Sequence, residues 1–77
     1  MLTNEELEVA LNFGLTPEAY QQMRQLYCTQ KGKTWEQLTA LTPQQAQIVH
    51  AKQGDVQQYL SAKITVLAEE VVMNSGN

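Results

Sequence analysis

Leu-Thr followed within a few residues by Glu or Gln opens at Leu2, Leu15 and Leu41, and Thr34 stands in the same relation to Gln37. Each phrase is a helix start. The threonine hydroxyl can accept a backbone N–H of the first turn, and an acid or amide three residues on can reach back to the threonine amide. Pro17 and Pro43 directly follow two of these threonines, at the first helical position, where a missing N–H costs nothing. Asp55 after Gly54 supplies a further cap. A chain of 77 residues with five such starts has room only for short helices joined by tight turns.

The stops agree. Gly14 ends the first helix near Phe13, and Lys31-Gly32-Lys33 ends the second near Gln30. A third helix opens at Thr34-Trp35-Glu36-Gln37, and Pro43 bars Thr42 from helical geometry, so a fourth begins there. Gly54 is expected to close it. The fifth runs from Val56 to about Met73, ahead of the polar tail 74–77. No segment of four or more residues alternates between apolar and polar as a strand would. The expected fold is therefore all-α: one domain over residues 1–77, a small bundle of four or five helices with an N-terminal helical hairpin and a long C-terminal helix, frayed at 1–2 and 74–77. The residues after the three Leu-Thr phrases do not align, so the phrase is one capping device used three times rather than a repeat.

A domain of this size buries only about 60% of the surface its unfolded chain exposes, and it has no staple. Cys28 is alone, so no internal disulfide forms, and one cysteine with one histidine, His50, cannot make a tetrahedral metal site. No cofactor or metal is expected. The start Met1 to Glu6 has no basic, apolar leader, and no unbroken apolar run exceeds three residues, so a cytoplasmic protein without a membrane span is expected. Self-association is the remaining source of support.

Helical periodicity predicts which faces are buried. In the first helix Leu7, Ala10 and Leu11 form one stripe, with Val9 and Phe13 beside it. In the second, Ala19, Tyr20, Met23, Leu26 and Tyr27 point inward, leaving Gln21, Gln22, Arg24 and Gln25 wet. The last helix carries Val56, Tyr59, Leu60, Ile64, Leu67 and Val71 as its main stripe, and Ala62, Val66, Val72 and Met73 extend apolar surface beyond it. That surplus makes it the central element, or one with a face left for a partner. Leu60, Ile64, Leu67 and Val71 also fit a heptad, but two heptads suit a bundle seam better than a free coiled coil.

No catalytic residue is expected. His50 alone titrates near neutrality, and it has neither a nucleophile turn nor a paired acid near it in sequence. Neighbouring acids such as Glu5 and Glu6, or Glu69 and Glu70, diverge by about 100° on a helix, and the first-turn acids are accounted for by the helix dipole. A protein interface is expected instead, anchored by Tyr20, Tyr27, Trp35, Tyr59, Val66, Val72 and Met73. The alternative is a helix-turn-helix-type nucleic-acid-binding regulator using residues 34–63, with Arg24, Lys31, Lys33, Lys52 and Lys63 as phosphate contacts. Five scattered cations on a chain of net charge −3 give it little phosphate neutralisation. The eleven glutamines read as a solvated face.

The stretch from Leu2 to Arg24 pairs a Leu-Thr-x-Glu-Glu helix with a Gly-Leu-Thr-x-Glu turn and a second helix. In this it resembles a segment near the C-terminal end of capsid scaffold proteins of tailed phages. The resemblance covers less than a third of the chain, rests on the capping residues themselves and transfers no functional residue. It implies a phage or prophage origin. The expected function is thus a small non-enzymatic protein that binds other proteins, itself included.

Overall fold

The cap signals become five helices in a computed structural model that describes residues 1–75. They are α1 (Asn4–Asn12), α2 (Pro17–Lys31), α3 (Trp35–Thr39), α4 (Pro43–Ala51) and α5 (Val56–Ser75). The fold is all-α, as the sequence predicts. Helix α5 continues two residues past its expected end, and the fraying expected of Gly76 and Asn77 lies outside the described residues.

Every predicted N-cap forms. The Thr3 hydroxyl accepts the Glu6 amide at 3.2 Å while the Glu6 carboxylate accepts the Thr3 amide at 3.4 Å, and Thr34 with Gln37 and Thr42 with Gln45 repeat the box. Thr16 accepts the Ala19 amide, and Asp55 accepts the Gln57 amide. Caps of this kind contribute about 1 kcal/mol each. Gly14 and Gly32 take the left-handed conformation (φ 72° and 68°). There the Leu15 amide reaches back to the Ala10 carbonyl and the Lys33 amide to the Cys28 carbonyl, closing both helix ends.

The third stop differs from expectation. The left-handed residue after α4 is Gln53 (φ 51°), not Gly54, because the Gly54 amide closes onto the Val49 carbonyl at 2.9 Å and so fixes the turn one residue earlier.

Helix α5 is the centre. It packs against α1, α2 and α3, and α1 packs against α2. The buried layer consists of Val9 and Ala10 from α1, Tyr20 and Tyr27 from α2, and Ala68 and Val71 from α5. Two alanines in this layer allow close helix approach, and two tyrosine rings fill the volume. Leu2, Leu15, Met23, Trp35, Leu38 and Val72 pack around it. Helix α4 takes part in none of the main helix pairings, with Val49 its one buried residue. The radius of gyration, 13.2 Å, accordingly exceeds the ~11.5 Å expected for a domain of this length.

Helix α1 sits about one residue's rotation away from the face that periodicity predicts, while α2 keeps its predicted face, with Tyr20 and Tyr27 buried and Ala19 and Met23 half-buried, except at two positions. On α1 the inward residues are Glu6, Val9 and Ala10, while Leu7 and Leu11 are exposed. On α2 Arg24 turns inward and Leu26 is 62% exposed. A pattern of apolar residues alone misplaces α1 and the Arg24 edge of α2. What they turn inward is an acid and its base.

Candidate functional site

Two constellations stand out, one inside and one on the surface. Inside, the Glu6 side chain is fully buried. Its Oε1 accepts the Thr3 amide and hydroxyl, and its Oε2 accepts the Tyr20 hydroxyl at 2.9 Å and the Arg24 guanidinium at 2.8 Å. Arg24 in turn lies 5.2 Å from the centre of the Trp35 ring, a cation–π distance. The charge is thus fully met by donors from α2 and from the cap of α1 itself. Among the described residues no buried side-chain polar atom lacks a hydrogen-bond partner.

This node changes the meaning of several predicted site residues. Tyr20 is fully buried and Tyr27 nearly so; neither can anchor an interface with another protein. Trp35 is half-buried beneath Arg24, and Val72 packs against the core. Burial and the hydrogen bond to Glu6 push the Tyr20 phenol well above its ordinary range, and burial with the Glu70 carboxylate at 3.0 Å raises that of Tyr27. Of the seven predicted interface residues, Tyr59, Val66 and Met73 remain toward the surface, with Val66 55% and Met73 66% exposed.

Two of the five predicted phosphate contacts have partners of their own inside the fold, and the other three are exposed. Arg24 is paired with Glu6, and the Lys63 ammonium donates to the Ala40 carbonyl and to Gln45 Oε1, tying α5 to the end of α3 and the start of α4. Lys31 lies over the Tyr27 ring. Lys33 lines a cleft with Cys28, and Lys52 lines another between α4 and α5. Arg24 is therefore an internal tie, and Lys63 spends two of its three ammonium donors inside the fold.

Cys28 lies half-buried at the cleft between the end of α2 and the start of α3, and burial raises its thiol pKa. His50, exposed on α4, does not line that cleft. Among the described residues no group of three or more histidines, cysteines or acids could hold a metal ion. No helix among them is long and apolar enough to cross a membrane.

The surface constellation is on α5. Tyr59, Ala62, Lys63, Val66 and Leu67 line a shallow, mostly apolar cleft of about 360 Å³ along one side of the helix. A second cleft of about 380 Å³, between α4 and α5, shares Tyr59 with it and adds Ile48, which is 53% exposed. Cap residues place this surface: Asp55 starts α5, and Lys63 holds the end of α3 to it. The heptad stripe noted in the sequence is a different one. Val71 of that stripe is fully buried, and Leu60, Ile64 and Leu67 are half-buried. Sequence reasoning placed Glu6 in the Thr3 capping box and missed it as the buried acceptor of Tyr20 and Arg24. The signal was available in the Thr3 capping box, which pins its carboxylate, and in Arg24 as the one arginine of the chain. No family model, curated protein or solved structure matches the chain.

Proposed function

We propose that this is a small non-enzymatic protein that acts by protein–protein contact through the outward face of α5, with self-association as one form of that contact. The observation that carries the reading is the exposure of Val66 and Met73 on a helix whose opposite face already fills the core. A 20-residue helix that is apolar on both sides has more apolar surface than its own domain covers. The neighbouring Tyr59 and Ile48 widen the patch. The resemblance of residues 2–24 to a scaffold-protein segment is in keeping with an assembly role and with a phage or prophage origin. The engagement of Arg24 inside the fold, on a chain of net charge −3, weighs against the nucleic-acid-binding alternative.

Methyl signals in solution test the reading directly. In dilute protein, a neutral paramagnetic cosolute should broaden the methyls of Val66 and Ala62, and raising the protein concentration should protect them while Val71 stays protected throughout. Equal broadening of Val66 at every concentration, with a monomeric mass, would remove self-association.

A further inference from the structure

We infer that the partner covering α5 is a second copy of this chain, laid antiparallel across a two-fold axis beside Val66, with Lys63 of each copy against the partner's Glu70. The inference rests on the proposed interaction function and gives it an occupant and a geometry.

At about 100° per residue, Tyr59, Ala62 and Met73 lie within about 40° of Val66 around the helix. These four form the crest of the outward face. Ala62, Val66 and Met73 are exposed, and Tyr59 is half-buried at the edge of the two clefts. The spacing from 59 to 62 to 66, and on to 73, keeps the 3.5-residue period that lets two helices stay in register. Small Ala62 permits close approach. The crest runs for about 21 Å, so the contact belongs to the small, weakly associating class of interfaces.

Charge selects the direction. Lys63 and Glu70 are seven residues apart and lie on the same flank of the crest, about 60° and 40° from Val66, whereas Glu69 lies about 60° away on the other flank. Two helices related by a perpendicular two-fold axis bring the same flank of each copy together, running in opposite directions. With the axis beside Val66, Lys63 comes level with the partner's Glu70, and the pair occurs twice. The parallel arrangement joins opposite flanks at equal height. It sets Glu70 beside the partner's Glu69, two like charges, again twice. Both antiparallel partners have capacity for the contact: the Lys63 ammonium uses two donors internally, and the Glu70 carboxylate is bonded to Tyr27 through Oε2 alone.

The test is charge reversal read by sedimentation at high micromolar concentration. K63E and E70K should each weaken self-association about tenfold or more, because each replaces two attractions with two repulsions. Mixing the two variants, or combining them as K63E/E70K, should restore it to within about threefold. Since both side chains also hold internal bonds, a second arm leaves them intact. In a Cys28→Ala background, Y59C mixed with M73C should yield disulfide-linked dimers, while Y59C alone should not. Efficient cross-linking of Y59C alone, or dimers indifferent to the charge reversals, overturns the antiparallel geometry and leaves self-association standing. A monomer at every concentration overturns both.

Discussion

Arg24 donates to the buried Glu6 carboxylate from 2.8 Å, and this ion pair joins α1 to α2 within the apolar layer between them. The acid side chain is 1% exposed and the arginine 20%, so the pair is only lightly screened by water. Its cost of burial is offset because both carboxylate oxygens are filled by four donors in all.

Removing one partner should therefore hurt more than removing both. Glu6→Ala leaves the Arg24 charge facing the Tyr20 hydroxyl, and should cost about 3 kcal/mol, enough to unfold much of a domain of this size. Replacing both, as Glu6→Leu with Arg24→Met, should recover the part of that loss that comes from the unpaired charge, while the Tyr20 hydroxyl is still left without its acceptor. Urea denaturation followed by circular dichroism closes the cycle. A double variant no more stable than Glu6→Ala would show that the ion pair is not what Glu6 contributes.

Tyr20 makes the fold sensitive to alkali. Its phenol is raised from an ordinary value of 10.0 by burial first and by the bond to Glu6 second. A raised folded-state pKa means that the contribution is fully present below the unfolded value and is lost as pH climbs above it. Stability should thus fall above about pH 10 by up to about 1.4 kcal/mol per pH unit from this group. In a pH titration, the Tyr20 share of tyrosinate absorbance should appear together with the loss of helical signal. Ionisation of Tyr20 in a chain that keeps its helices would contradict this account.

Local signals and long-range ones were not equally legible. Thr3, Thr16, Thr34, Thr42 and Asp55 cap the helices they were expected to cap because a cap is decided within four residues of chain. The centrality of α5 was also readable, from apolar residues on both its faces. The inward turn of Glu6 and Arg24 was not, since periodicity treats every charge as solvent-facing. A carboxylate turns inward only when a tyrosine and an arginine eighteen residues or fewer away in sequence arrive from another helix to meet it. Periodicity turned Tyr20 and Tyr27 inward, where they lie, and the separate argument from aromatic anchors placed the same two residues at an interface. Large aromatics anchor partners and cores alike, and only the packing of α2 on α5 decides between them.

The turn after α4 holds an improvable residue. Gln53 sits at φ 51°, where a side chain crowds its own backbone and glycine does not. Gln53→Gly should stabilise the domain by about 0.5 to 1 kcal/mol despite the greater freedom it gives the unfolded chain. Thermal unfolding would show the midpoint rising. A fall would mean that the Gln53 side chain makes a contact worth more than the strain.

Cys28 should be a slow thiol. Burial raises its pKa, with the Glu6 charge acting in the same direction and Arg24 opposing both. At neutral pH the folded chain then holds less thiolate than the unfolded chain does, and thiolate is the reacting form. A disulfide reagent should label native protein more slowly than protein in urea, and the native rate should keep increasing with pH beyond 9.0, the ordinary value of the group. Since Arg24 is the opposing charge, Arg24→Met combined with Glu6→Leu removes both charged influences and leaves burial alone. Labelling of that double variant should stay slow wherever the helices stay folded. Fast labelling of the wild-type fold at neutral pH would instead mark Cys28 as an activated nucleophile and return the cleft between α2 and α3 to consideration as a reactive site.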